Sequence, residues 1–170
     1  MRNSCDDCED AMTAKPDNEQ DPPEAVLQSY IDRLDPKIQK LARSVRAAIR
    51  KRLPAANELA YDYKTFVVLS YSPTDRGIDG VVSIAARPDG VRLYLNPGPQ
   101  LPDPKKLLQG AGKQARFVSV EAASDLAHPD IKALIDAAID QAEIPLPSEG
   151  QGRLILRSEG AKPRSRKPRK

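Results

Sequence analysis

Tryptophan is absent from this 170-residue chain, histidine occurs once (His128) and cysteine twice (Cys5 and Cys8). Only seven aromatic side chains are available, five Tyr and two Phe, so a core must be assembled from Leu, Ile, Val and Ala. A single His excludes the His pairs that most metalloenzymes use, and two Cys provide no disulfide framework to support a small fold. Long apolar runs are missing too. The longest, such as Phe66-Val67-Val68-Leu69, hold four or five residues, where a bilayer-spanning helix needs about 20. The first residues lack a basic segment followed by an apolar one, so no secretory signal peptide is read there. The expectation is a soluble, single-domain cytoplasmic protein with reduced thiols and no membrane association.

Charge is what the chain has in quantity, at 30% of residues with a net of +3, and it is unevenly placed. Residues 1–23 carry two basic and seven acidic side chains, and residues 153–170 carry eight basic and one acidic. Residues 1–23 show no periodicity and few large apolar side chains, which predicts a disordered acidic arm. Residues 162–170 hold Lys162, Arg164, Arg166, Lys167, Arg169 and Lys170 with no acid. Their prolines oppose a helix, so a disordered basic tail is expected, with weak, non-specific nucleic-acid contact.

Between the arms the periodicity is legible. Val26, Tyr30 and Leu34 recur at helical spacing, and Pro36 opens a second helix with Asp35 as N-cap and Ile38, Leu41, Val45, Ala48 and Ile49 as its stripe. Lys40, Arg43, Arg46, Arg50 and Lys51 are read as its flanks. Helices are thus predicted over 24–34 and 36–52. From Glu58 the period becomes 2, predicting strands at 59–61, 66–72, 81–87, 91–96 and 116–120. Pro88-Asp89-Gly90 joins two of these as a tight hairpin. Pro104 to Leu108 is read as one helical turn, 130–142 as a final amphipathic helix, and Leu154-Ile155-Leu156 as a last short strand. The order of elements predicts an α+β two-layer sandwich, an antiparallel sheet covered on one face by helices. Domain boundaries fall at 1–23, 24–142, 143–161 (linker and short strand) and 162–170.

Tyr30-Ile31-Asp32-Arg33-Leu34, Arg52-Leu53-Pro54 and Glu58-Leu59-Ala60-Tyr61-Asp62 resemble the first half of a YdhG-like domain. Gly110 to Arg116, Asp125-Leu126 and the helix at 130–142 are similar to its second half. The resemblance covers residues 24–142, with the segment Gly152 to Lys162 also seen in close relatives. It implies a helix-covered antiparallel sheet and a family largely of unknown function, one branch of which is described as frataxin-like intracellular iron chaperones.

Chemical candidates are few. Cys5-Asp6-Asp7-Cys8 has the spacing of half a zinc site, but no second pair completes it, and its acidic neighbours raise rather than lower a thiol pKa. Gly110-Ala111-Gly112-Lys113 is no phosphate loop, because Leu107 and Gln114 occupy the positions that need Gly and Ser or Thr. Lys113 and Arg116 remain as candidates for an anion, and Tyr61 with Glu58 for a pocket beside the helices. The sheet face away from the helices is expected to show Phe66, Arg92, Tyr94, Asn96 and Phe117, offering a surface for a second copy or another protein, or for stacked bases. Covalent catalysis needs a nucleophile beside a base, and His128 sits where helix capping accounts for it. The reading is therefore a non-enzymatic YdhG-like module that binds a small ligand, a metal or a protein in a chaperone-like way, with no cofactor and no metal-ligating residues assigned. The alternative is a nucleic-acid accessory protein acting through its tail.

Overall fold

The computed structural model describes residues 21–157. Two helices, α1 (Pro23–Asp32) and α2 (Pro36–Arg52), precede four strands: β1 (Asn57–Asp62), β2 (Val67–Ser72), β3 (Val82–Arg87) and β4 (Gly90–Leu95). Then come β5 (Arg116–Val120), α3 (Pro129–Asp140) and β6 (Leu154–Arg157). The strands form one sheet in the order β5-β4-β3-β2-β1-β6. Every pairing is antiparallel except that of β6 with β1, which is parallel. The fold is the expected α+β sandwich, with helices on one side of the sheet. Among the described residues no helix is long and apolar enough to cross a membrane.

Local chemistry explains the elements. Each helix begins with proline, at Pro23, Pro36 and Pro129, where the missing N–H would have had no partner in any case. The Asp35 carboxylate caps α2 by accepting from the Lys37 amide at 2.9 Å. His128 precedes α3, and its Nδ1 accepts from the Asp130 amide. Strict alternation along β2, β3, β4 and β5 turns Val67, Leu69, Tyr71, Val82, Ile84, Leu93, Leu95 and Val118 toward the helices. There they meet Leu27, Ile31, Val45, Ile49, Leu134 and Ile135. The two-residue turn Pro88-Asp89 closes β3 onto β4, and Gly90 follows it at a φ of 142°, a conformation that side chains disfavour.

Three local expectations are corrected. The buried stripe of α1 is Leu27 and Ile31, one position on from Val26 and Tyr30, with Leu34 completing it beyond the helix. Residues 104–108 are not helical. The Asp103 carboxylate accepts from the amides of Leu107 and Leu108 at 2.8 and 2.7 Å, and Lys106 has a φ of 56°. An aspartate satisfying the backbone in this way offers it an alternative to helix. The segment then extends so that Gln109 pairs with Phe117. The third correction is Arg46, which is no flank residue but lies in the interior.

Candidate functional site

On α2, Arg46 occupies the same helical face as Ala42, Val45 and Ile49, all of them buried. On β1, Glu58 shares its parity with Ala60 and so also points toward the helices. A carboxylate at a core-facing strand position cannot be left unpaired, and Arg46 completes it. The Arg46 Nε and Nη2 atoms donate to the two Glu58 oxygens at 2.8 Å each. The other edge of the same guanidinium grips Glu24, at 2.5 and 2.8 Å. The Tyr71 hydroxyl, on β2, donates to Glu58 Oε1 at 2.9 Å. Arg46, Glu58 and Tyr71 are 6%, 3% and 1% exposed, so the cluster ties α2, β1 and β2 together away from water, and the half-exposed Glu24 adds α1 at its solvent edge.

The Arg46 hydrogen bonds hold the Glu24 carboxyl down at about 2, against an ordinary value near 4.5. Burial, reinforced by the negative charge of Glu58, pushes the Tyr71 phenol well above its usual range, so it stays protonated. Glu58 already accepts from Arg46 twice and from Tyr71 once. Neither group is therefore free to act as a base.

Above this cluster lies a pocket of about 280 Å³, lined on its floor by Glu58 and Tyr71 and on its rim by Arg50, Lys51 and Arg153. Arg50 makes only loose contacts, 3.9 Å to Glu24 and 4.0 Å to Glu58. Among the described residues Lys51 and Arg153 have no carboxylate partner. Glu24 and Glu58 offset Arg46 and Arg50, which leaves the charges of Lys51 and Arg153 uncompensated. The far wall, Gln151 to Leu154, is fastened in place. The Gly152 amide donates to the Pro54 carbonyl at 2.9 Å, the Glu58 amide to the Arg153 carbonyl at 2.9 Å, and the Arg153 amide to Asn57 Oδ1 at 3.1 Å. A Cβ on Gly152 would lie 1.7 Å from the Ala56 carbonyl oxygen, so only glycine allows this approach.

The residues singled out from sequence are not brought together. Alternation puts Tyr61 on the sheet face opposite Glu58, so the two share no pocket; the tyrosine beside Glu58 is Tyr71. Arg116 lies on β5, four strands from Tyr61, or roughly 19 Å at the usual strand spacing. Its guanidinium donates to the Gly110 carbonyl, clamping the loop that carries Lys113. Lys113 itself is exposed. Phe66, Arg92, Tyr94 and Phe117 do lie on the face away from the helices, and Asn96 lines a crevice there beside Tyr94, with its side chain donating to the Gly80 carbonyl at 3.1 Å. Cys5, Cys8 and the six basic residues Lys162, Arg164, Arg166, Lys167, Arg169 and Lys170 lie outside the described residues. Among the described residues no group of three or more His, Cys, Asp or Glu side chains is placed to hold a metal ion. The sequence carried one overlooked signal for the cluster: a glutamate at the core parity of a strand predicts a buried cation nearby, and Arg46 stands one turn before Ile49 and Arg50.

Compared with family models, curated proteins and solved structures, the chain finds no match.

Proposed function

We propose that this chain is a non-enzymatic, YdhG-like ligand-binding module whose ligand is a small anion held in the pocket between α2, the start of β1 and the segment leading into β6. One observation carries the reading: three cationic side chains, Arg50, Lys51 and Arg153, ring a pocket whose wall is held by backbone hydrogen bonds before any ligand arrives. A preformed site loses little ordering entropy on binding. The rim charge repels metal ions and favours phosphate or carboxylate groups, which arginine binds through paired N–H donors. The floor, with Glu58 and Tyr71 committed to each other and to Arg46, supplies position rather than chemistry.

Calorimetry and thermal unfolding with inorganic phosphate, pyrophosphate and citrate test this. A ligand at about one hundred times its dissociation constant adds about 2.7 kcal/mol to stability, which raises the melting temperature by several degrees. Arg153→Ala is expected to remove most of that gain while leaving the unliganded melting temperature close to its original value. No shift with any anion at about 10 mM, a concentration high enough to fill even a weak site, would end the proposal. A second reading rests on the six basic residues at 162–170, which suit a polyanion such as nucleic acid.

A further inference from the structure

Five of the seven aromatic side chains lie on the sheet face that the helices leave uncovered. Register sets Ser83, Tyr94 and Phe117 side by side across β3, β4 and β5, with Arg92 in the next row between Ala85 and Ser119. The Tyr94 and Phe117 ring centroids are 5.2 Å apart, and the Arg92 guanidinium, which donates to the exposed Asp89 carboxylate at 2.6 Å, lies 4.9 Å from the Phe117 centroid. Toward the other edge, Tyr63 stands nearly parallel to Tyr61 and to Phe66, at 6.3 and 4.7 Å, with Arg87 placed 4.8 Å over Phe66. Tyr63 is 39% exposed. Beside Tyr94 a crevice of about 180 Å³ opens, bringing Ser83, Asn96 and Gln114 together. Ser83 donates to Ser70 at 2.9 Å and Asn96 to the Gly80 carbonyl at 3.1 Å, which fixes both in place, and the exposed Gln114 amide is the kind of group that reads the edge of a base. Lys113, the neighbour of Gln114 in the chain, is exposed.

We propose that this face binds single-stranded nucleic acid, with one base in the crevice against Tyr94 and the phosphates along Arg92 and Lys113. Rings interleaved with arginines on a sheet suit a polyanion whose planar bases are unpaired, because every base presents a π-face and every linkage a negative charge. A duplex hides those faces. A second copy of the chain would present the same surface, in which Arg87, Arg92 and Lys113 outnumber Asp89, so a two-fold interface would join two faces of like net charge. β6 ends at Arg157, paired in register with Tyr61, and five residues further on, within about 17 Å of extended chain, the run of six basic residues begins at Lys162.

Fluorescence anisotropy with labelled ten-nucleotide oligo-dT and oligo-U, against a duplex of equal length, tests this on the full-length chain. The single strands are expected to bind at least about tenfold more tightly than the duplex. Tyr94→Ala should weaken them about tenfold and Tyr94→Phe hardly at all. Lys113→Gln, an exposed change that leaves folding unaffected, should lower affinity and flatten the salt dependence. The small-anion variant Arg153→Ala, on the other side of the sheet, should bind oligonucleotide as the parent does. Equal affinity for duplex and single strand, or a Tyr94→Ala protein that folds and binds unchanged, would overturn the proposal in favour of tail-driven attraction alone. A stable dimer in sedimentation that Tyr94→Ala dissociates, with no oligonucleotide bound, would overturn it in favour of a second copy.

Discussion

Arg46 is the residue on which most of the interior's polar chemistry converges. It is matched on one edge by Glu58 and on the other by Glu24, and Glu58 is matched in turn by Tyr71. Removing one member of such a set strands the others away from water, which is costlier than the pair's net contribution. Glu58→Ala or Arg46→Ala is therefore expected to lower stability by about 3–5 kcal/mol, measured by urea unfolding. The double replacement Arg46→Met with Glu58→Leu should lose much less, because no charge is then buried alone. Tyr71→Phe, which leaves Glu58 with both Arg46 bonds, should cost about 1 kcal/mol. Glu24 governs the acid side. Its carboxyl is held at about 2 in the folded state, below its ordinary value, so its contribution is present above the unfolded value near 4.5. That contribution is lost as pH falls toward 2. In Glu24→Gln the decline of stability over that interval should be shallower, as followed by thermal unfolding at stepped pH.

The last strand is short, lies at the sheet edge and joins by the one parallel pairing in the sheet, yet it supplies a wall of the basic pocket. Its docking depends on Gly152, where the backbone passes so close to Ala56 that a methyl group has no room. Gly152→Ala should therefore loosen residues 153–157 and the pocket wall with them, while the core formed by β2, β3 and β4 stays intact. Hydrogen exchange would show this as faster exchange confined to β6 and its β1 partner, with anion binding lost in parallel. The other elements were readable in advance for local reasons: proline starts, an aspartate cap, and a period that changes from helical to alternating at Glu58. Residues 104–108 misled because a Pro-rich run with leucines at its end reads as a turn of helix. Asp103 captures the amides that such a turn would need.

Taken whole, the molecule presents two unlike faces: helices over an aliphatic core on one side, and a sheet of tyrosines, phenylalanines and arginines on the other. The basic residues 162–170 add a third feature, whose physics follows from charge alone. If four to six of those side chains engage duplex phosphates, the slope of log affinity against log salt should be about −4 to −5. Replacing all six by Gln should abolish that slope's excess while leaving the melting temperature nearly unchanged. Filter binding across a salt series checks both.

Composition and period were enough to set the fold class, the six strands, the three helices and the Asp35 and His128 caps, though not the irregular path of residues 104–108. The flip of Tyr61 away from Glu58 was implicit in strand alternation. The Arg46 cluster and the ring of Arg50, Lys51 and Arg153 were not legible as a site. Arg46 and Glu58 are twelve residues apart and Glu58 and Tyr71 thirteen, while Arg153 arrives from the far end of the chain. Their meeting depends on where α2 crosses the sheet and on β6 returning parallel to β1. Such long-range placements follow from how all the apolar faces are buried at once, and no local spacing encodes them.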